Sequence, residues 1–321
     1  MISIIIPSYN KPELLKNCIT SIISSKSNDF EVIIIDNGST DPLYFNDQSI
    51  HYINLESNHG FSKAINIGIK QAKGNIIAVL NNDTEVDSNW IGSIVSAFKN
   101  NPDIMFITSK IKSLKDKNFL DDVGDVVLSS GKVYKLGNRE KDAGQYDQQR
   151  YVFGASGCAS IYRREFFDSV GYFDEDFFAY LEDVDLSFRA NLQGYKCLYL
   201  PDAIVYHVGS ATSGSQYNDF TAFHLAQNTI SMIVKNFSIR ILINSIFAIF
   251  THIISLQAFF IIKGYGISYF KGLICGIKSI NKMLKKRREI MSRRVLTDYE
   301  IKKMFKMNKR LYRTSKNNRS R

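Results

Sequence analysis

Residues 32–41, V-I-I-I-D-N-G-S-T-D, pass from four β-branched residues to a polar, glycine-bearing cluster that begins at Asp36. A short continuous apolar run of this kind is expected of a strand covered on both faces, as in a parallel sheet. Residues 2–6 and 76–80 repeat the run, and each ends in its own polar cluster, Pro7-Ser8-Tyr9-Asn10 and Asn81-Asn82-Asp83-Thr84. Two stretches with helical spacing separate these runs. Pro12 can open the first, where Leu14, Leu15, Cys18, Ile19, Ile22 and Ile23 form one apolar stripe. Ala64, Ile65, Ile67, Gly68 and Ala72 mark the second, which Gly74 stops. Strand, helix, strand, helix, strand predicts a doubly wound α/β domain. In such sheets ligands lie beyond the carboxyl ends of the strands, so the three polar clusters are expected to converge on one crevice. No G-x-G-x-x-G or G-x-x-x-x-G-K-[ST] follows any strand, which argues against a dinucleotide oxidoreductase and a P-loop enzyme.

From about residue 104 to 151 the pattern breaks into short strand-like pieces punctuated by Gly124, Gly131, Gly137 and Gly144. This predicts an irregular, mobile half that could receive a second substrate. Order is expected again at 154–163, in a helix over 181–193 ended by Gly194, and in strand-like runs at 196–200 and 203–207. After Ser215 the chain is helical in character. Residues 241–262 carry no formal charge, and a helix of that length, at about 1.5 Å per residue, could cross a bilayer core. Asn244, Ala248, Thr251, His252 and Ser255 nevertheless share one stripe, which favours a helix lying in the interface plane. A second apolar stretch, 265–280, leads into basic residues attracted to anionic lipid.

With 321 residues, 45% of them apolar, the chain can bury a full core. Its charge is unevenly placed. Between 282 and 321 sixteen Lys or Arg face only Glu289, Asp298 and Glu300, a net of +13 against +10 for the whole, so residues 1–281 carry −3. Cys18, Cys158, Cys197 and Cys275 are scattered and never approach C-x-x-C, which suggests neither a zinc knuckle nor a disulfide framework and fits a reducing cytosol. The opening M-I-S-I-I-I-P-S-Y-N lacks a basic n-region and reads as a strand rather than a secretory signal.

Several residues suit phosphate-ester and sugar chemistry. Tyr9 can flank a base and Asp36 can accept from a pyrimidine imide, although Asp36-Asn37-Gly38-Ser39 is equally an ordinary turn. Asp83 at a strand end can hold a divalent cation that bridges phosphate oxygens, although N-N-D-T is also good turn chemistry. Glu182, Asp183 and Asp185 fall within one helical turn beside Phe177, Phe178 and Tyr180, where mutual repulsion can raise one pKa toward a value useful in a general base. The alternative is helix-dipole complementarity, with Asp185 paired to Arg189 at i, i+4. His207 closes a strand and could be a second metal ligand, or a buried hydrogen-bonded histidine.

The set I-I-I-P-S-Y-N, D-N-G-S-T-D, N-H-G-F-S-K-A-I-N-I-G-I, L-N-N-D-T, G-Y-F-D-E-D-F-F-A-Y-L-E-D-V-D-L-S-F-R and V-Y-H-V-G-S resembles glycosyltransferase family 2, in its rhamnosyltransferase-like branch, over about residues 2–210. The resemblance implies a GT-A fold with a mostly parallel central sheet over 1–214, its nucleotide-binding half about 1–103 and its acceptor half about 104–214. A helical membrane-associating region over 215–281 and a basic tail over 282–321 are expected to follow. By position it implies donor contacts at Pro7, Tyr9, Asn10, Asp36, Asn58, Gly60, Phe61, Asn66, Asn82 and Asp83. It also implies a metal (Mg2+ or Mn2+) at Asp83 and His207, a catalytic base at Asp183, and acceptor-side positions at Gly157 and Glu182. The D-x-D metal motif here reads Asn81-Asn82-Asp83, which leaves one carboxylate and implies that diphosphate oxygens complete the metal shell.

The implied activity is inverting transfer from a dTDP- or UDP-sugar, with a tilt toward deoxyhexoses such as rhamnose, to a glycan or lipid-linked acceptor. The expected place is the cytoplasmic face of the cell membrane, on an anionic surface, with no specific nucleic-acid partner. Two other readings use the same crevice: a nucleotide-sugar-binding protein without transfer, and a sugar nucleotidyltransferase, which would want a glycine-rich basic loop that Pro7 to Lys11 does not supply. Nonspecific nucleic-acid binding by the basic tail is the third, with lipid favoured over it by the preceding apolar run.

Overall fold

The computed structural model describes residues 1–27, 29–209 and 217–319; Ser210 of the V-Y-H-V-G-S motif, Ser215 and the expected boundary at 214 lie outside them. Strands β1 (Ile2–Ser8), β2 (Phe30–Asp36), β3 (Ile50–Asn54) and β4 (Ile76–Leu80) are parallel, with Ile2 opposite both Phe30 and Ile76. Because successive side chains point to opposite faces, Ile5, Ile33, Ile35, Ile77 and Val79 enter one core. Ile4, Ile6, Val32, Ile34, Ala78 and Leu80 enter another. Helices α1 (Pro12–Ile23) and α3 (Trp90–Asn100) cover the second face through Leu15, Ile19, Trp90 and Ile94, and α2 (Phe61–Gln71) covers the first through Ala64, Ile65 and Ile69. This double cover is why the strands read as continuous apolar runs.

After β5 (Thr84–Val86) come β6 (Phe106–Ser113), β7 (Leu120–Asp122), β8 (Asp125–Val127), β9 (Val133–Lys135), β10 (Arg150–Val152) and β11 (Ala159–Arg163). Helices α4 (Arg164–Val170) and α5 (Glu182–Leu192) lead into β12 (Cys197–His207). The principal sheet has the order β10-β12-β6-β11-β4-β1-β2-β3, with β5 on β12 and β7 on β6. β6 and β12 are parallel to each other, and β11 runs antiparallel between β6 and β4, so β1, β2, β3, β4, β6 and β12 all point one way. The sheet is mixed and mostly parallel, as expected. The runs at 196–200 and 203–207 are one strand with an irregularity between Leu200 and Ile204. The half read as irregular is made of short strands, but Val123, Val126, Val127 and Leu136 are buried in the main core and the eight-residue β6 is central to the sheet.

The remainder is helical: α6 (Asp219–Asn236), α7 (Ile239–Ile262), α8 (Gly266–Lys278), α9 (Ile280–Ser292) and α10 (Asp298–Arg319). The basic segment is therefore no loose extension. Ile301 and Phe305 of α10 join the main core, and Asn308 donates to the Val127 carbonyl at 2.8 Å.

Candidate active site

Parallel direction brings Ser8, Asp36, Leu80 and His207 to one edge of the sheet, and the loops beyond them are stitched together. Asn82 Nδ2 reaches Ser8 Oγ at 3.3 Å, Asn37 N donates to the Ser8 carbonyl, and Asn10 Oδ1 accepts from Thr40 N at 2.8 Å. Asp36 Oδ1 accepts from Gly38 N and Ser39 N at 3.1 and 2.7 Å, so the turn reading holds for that oxygen. Asn37 was not singled out in the sequence. Its amide links His59 N, Asn58 Oδ1 and the Gly60 carbonyl, fastening the donor-side loop to the end of β2.

Gly60 sits at φ +84 just before α2, where a Cβ would lie 2.5 Å from the Phe178 carbonyl oxygen. Phe61 N donates to that same carbonyl and Ser62 Oγ to the Phe177 carbonyl. Only a glycine lets this turn meet the segment leading to α5. Asn66, an implied donor contact, is buried, with its amide nitrogen on the Phe173 carbonyl and Glu175 and its amide oxygen on Phe173 N, so here it staples the 173–175 segment to α2. Pro7 lies within β1 opposite Ile35, and Tyr9, Asn10 and Phe61 are part-buried at the same edge.

Asp83 and His207 meet because β5 pairs antiparallel with β12, His207 opposite Thr84. Asp83 Oδ1 lies 3.3 Å from His207 Nε2, and His207 Nδ1 is 2.7 Å from Asp121 Oδ2. Burial opposes a charge on the ring, but Cys158, Asp121 and Asp83 around it outweigh burial and push its pKa well above the usual value. Burial likewise opposes the Asp121 carboxylate, yet the hydrogen bond with His207 and the charge of Lys135 hold it down to about 2. With Nδ1 held by a carboxylate, Nε2 faces Asp83 across a gap that a shared cation of about 2.0–2.2 Å bond length could bridge. The residues fit a divalent ion to that extent. Among the described residues no group of three or more His, Cys, Asp or Glu is disposed to hold a metal alone.

Asp183 stands in the first turn of α5, whose entry is strained, with Tyr180 and Leu181 at φ 70 and 66. Its Oδ2 accepts from Gly157 N at 2.7 Å and its Oδ1 from Val184 N at 2.8 Å. The next residue, Cys158, gives its carbonyl to Asn81 N at 2.9 Å, so Asp183 and Asp83 hang on one short stretch of backbone at the same edge. Asp185 follows the alternative reading. It is fully buried, bonded to Arg189 at 3.0 Å, Lys235 at 2.7 Å and Asn236 at 2.8 Å. Burial, and then Asp183, push the pKa of Glu182 up, and among the described residues its Oε2 has no hydrogen-bond partner.

β7 and β8 contribute acids missed in the sequence, and β9 a lysine. Asp122 and Asp125 are almost wholly buried and their pKa values are raised, chiefly by burial. Lys135, opposite Asp125 across the hairpin and 3.6 Å from Asp122 Oδ2, is the counter-charge to this group, with 45% of its side chain exposed. Three carboxylates in D-D-V-G-D, within an apolar stretch, were the signal available.

Residues 3–171 match the family model described as glycosyl transferase family 2. The chain belongs to glycosyltransferase family 2. Its fold is GT-A-like: the chain superimposes on GalNAc-T7 with UDP, GalNAc and Mn2+ (TM-score 0.58, 18% identity, 73% of this chain and 48% of that one). It also superimposes on mannosyltransferase PcManGT from Pyrobaculum calidifontis with GDP-Man and Mn2+ (TM-score 0.52, 13% identity, 91% and 85%). Relatives of this family 2 chain include the O-antigen biosynthesis protein RfbC of Myxococcus xanthus, 31% identical over 66% of this chain and 17% of that protein. Another is the poly-beta-1,6-N-acetyl-D-glucosamine synthase of Staphylococcus epidermidis, 25% identical over 66% of this chain and 51% of that one. The chain thus spans about half the length of that synthase and a smaller part of RfbC.

Proposed function

We propose that the chain is an inverting glycosyltransferase that moves a sugar from a nucleotide diphosphate, a dTDP- or UDP-sugar with a deoxyhexose such as rhamnose favoured, to a hydroxyl of a glycan or lipid-linked acceptor in cell-surface polysaccharide synthesis. The observation that carries this is the backbone link Gly157-Cys158, which joins Asp183 on one side to the Asn81-Asn82-Asp83 turn on the other. Family membership and the roles of the relatives, a polysaccharide synthase and an O-antigen biosynthesis protein, support it. Asp183 accepts the proton of the acceptor hydroxyl, which attacks the anomeric carbon from the face opposite the departing diphosphate. Gly157 N and Val184 N each occupy one lone pair, on Oδ2 and Oδ1, and fix the carboxylate so that each oxygen keeps a free lone-pair direction, one of them for that proton. Tyr9 and Asp36 flank the base, and Asn58, Gly60 and Phe61 shape the donor side. Asp83 and His207 would hold a divalent cation, Mg2+ or Mn2+, which when bound neutralises charge on the nucleotide diphosphate; the Mn2+ carried by both superimposed enzymes supports it. The work is expected at the cytoplasmic face of a membrane.

The test is turnover of a panel of nucleotide sugars with Mg2+ or Mn2+, repeated with Asp183→Asn. The variant is expected to lose transfer by about 10²–10⁴-fold while binding the nucleotide with unchanged affinity by calorimetry. A variant that folds but no longer binds nucleotide removes Asp183 from the role of base. A wild type that turns over none of the panel, yet binds one donor tightly, favours the binding-protein reading.

A further inference from the structure

α7 has three faces. Ile241, Ser245, Ile249 and Phe260 are buried against the protein, with Ile253 and Leu256 partly so. Ile243, Phe247, Phe250, Ile254 and Ile261 form a second face turned outward, Phe247 with 78% of its surface exposed. Between these run Asn244, Thr251 and Ser255, small, polar and exposed. α8 continues the outward apolar face with Ile267, Phe270, Ile274 and Ile277, and the corner between the two helices holds an apolar groove of about 410 Å³ walled by Ile261, Ile267 and Phe270. On the same two helices stand the exposed cations Lys263, at the end of α7, and Lys271 and Lys278, on α8.

The inner face decides how such a surface can meet lipid. Ile241 and Ile249 belong to the same core as Ile5 and Ile33 of the sheet, and Phe260 packs on Tyr269 with ring centroids 5.1 Å apart. The first half of the helix is therefore anchored in the core of the sheet at Ile241 and Ile249 and the second half on α6 and α8, and turning it across a bilayer would break these contacts or draw the catalytic sheet into hydrocarbon. α8 is mounted equally firmly. A Cβ on its Gly272 would lie 2.2 Å from the Phe223 carbonyl oxygen of α6, and α6 is tied to the catalytic loop by Asn228 on the Ala179 and Tyr180 carbonyls. We infer that α7 and α8 form a monotopic, in-plane docking surface for one leaflet of an anionic bilayer. Their outward apolar face sits among acyl chains, the polar stripe of α7 lies at the headgroups, and the cations meet the lipid phosphates. This deepens the membrane-face reading by fixing how the enzyme sits: α7 lies along the leaflet rather than across it, and the catalytic edge keeps a set orientation to the lipid plane.

The test uses the full chain and vesicles of phosphatidylcholine with about 30% phosphatidylglycerol. Flotation should recover the wild type, and Phe247→Asp with Phe250→Asp and Ile254→Asp should lower recovery at least about tenfold at unchanged melting temperature. Single tryptophans at Ile243, Phe250 and Ile261 report depth, since the only native one, Trp90, is fully buried. Bromines placed shallow in the acyl chains should quench all three alike. Quenching of position 250 by deep bromines, with 243 and 261 shallow, means a span and overturns the inference. So does a dimer in lipid-free buffer that the triple variant dissolves, with no binding of the wild type to vesicles. Flotation needs no donor, so loss of vesicle binding with nucleotide-sugar turnover intact defeats this inference alone, and the converse defeats the transferase reading alone.

Discussion

Gly157 carries no side chain, and a methyl group built there would lie 3.2 Å from Asp183 Oδ2, inside the hydrogen bond that aims the proposed base. Gly157→Ala should therefore shift the carboxylate by a few tenths of an ångström while the fold stands. We expect turnover to fall by about tenfold or more, given that about 1 Å of misplacement can cost 10²-fold, with nucleotide affinity and melting temperature nearly unchanged. Equal losses in turnover and stability would mean that the glycine serves packing alone. Asp121 acts at one remove, through His207 Nδ1 at 2.7 Å. Asp121→Ala should weaken Mn2+ binding by about 10–100-fold, the usual effect of removing such a partner, read by calorimetry with nucleotide present. The two differ in how visible they were. Asp83 stands just past the run at 76–80 and His207 ends the run at 203–207, so their place at the sheet edge followed from strand direction, whereas Asp183 opens the helix read over 181–193. Asp121, Asp122, Asp125 and Lys135 come from three-residue strands, too short to show a period.

At the scale of elements, the strands at 2–6, 32–35 and 76–80 were legible because both faces are covered, while β3 and β5, at the rim and part-exposed, left no such run. The link between α5, α6 and α9 was not legible either, because its charges are far apart in the chain. Lys235 bridges Asp174 at 2.6 Å and Asp185 at 2.7 Å, and Lys286 joins Asp174 and Asp176. Burial works against the Asp174 carboxylate, but Lys235 and Lys286 outweigh it and depress its pKa. A depressed carboxylate contributes stability that is fully present above its unfolded value, about 3.9, and is lost as pH falls through the folded one. Acid should thus loosen α6 and α9 from the 173–185 loop below about pH 4, seen as new cleavage by pepsin within residues 217–292. Asp174→Asn should flatten that pH dependence and be less stable at pH 7, where a buried lysine has lost one of its partners.

On the scale of the whole molecule, the +13 of residues 282–321 suggested a segment given over to an external partner, yet α10 turns one face inward. Phe305 packs on Phe188 of α5 and on Phe237, Tyr312 meets Tyr134 edge-on, and Ser315 bonds to Gly137 N and Glu140. Charge sums could not reveal this, because a helix can carry its cations on one side and its core contacts on the other. The packing sets α10 behind the β8–β9 hairpin, which brings Asp125 and Lys135 toward the site. Phe305→Ala should cost about 3–5 kcal/mol, as for other buried phenylalanines, and lower the melting temperature by several degrees. Its local signature is more telling. Amide exchange should quicken across residues 120–140 and hardly change across residues 2–80, because α10 braces the β8–β9 hairpin, through Val127 and Tyr134, and not β1 to β4. Exchange that rises uniformly, or only within α10, would reduce the helix to an appendage.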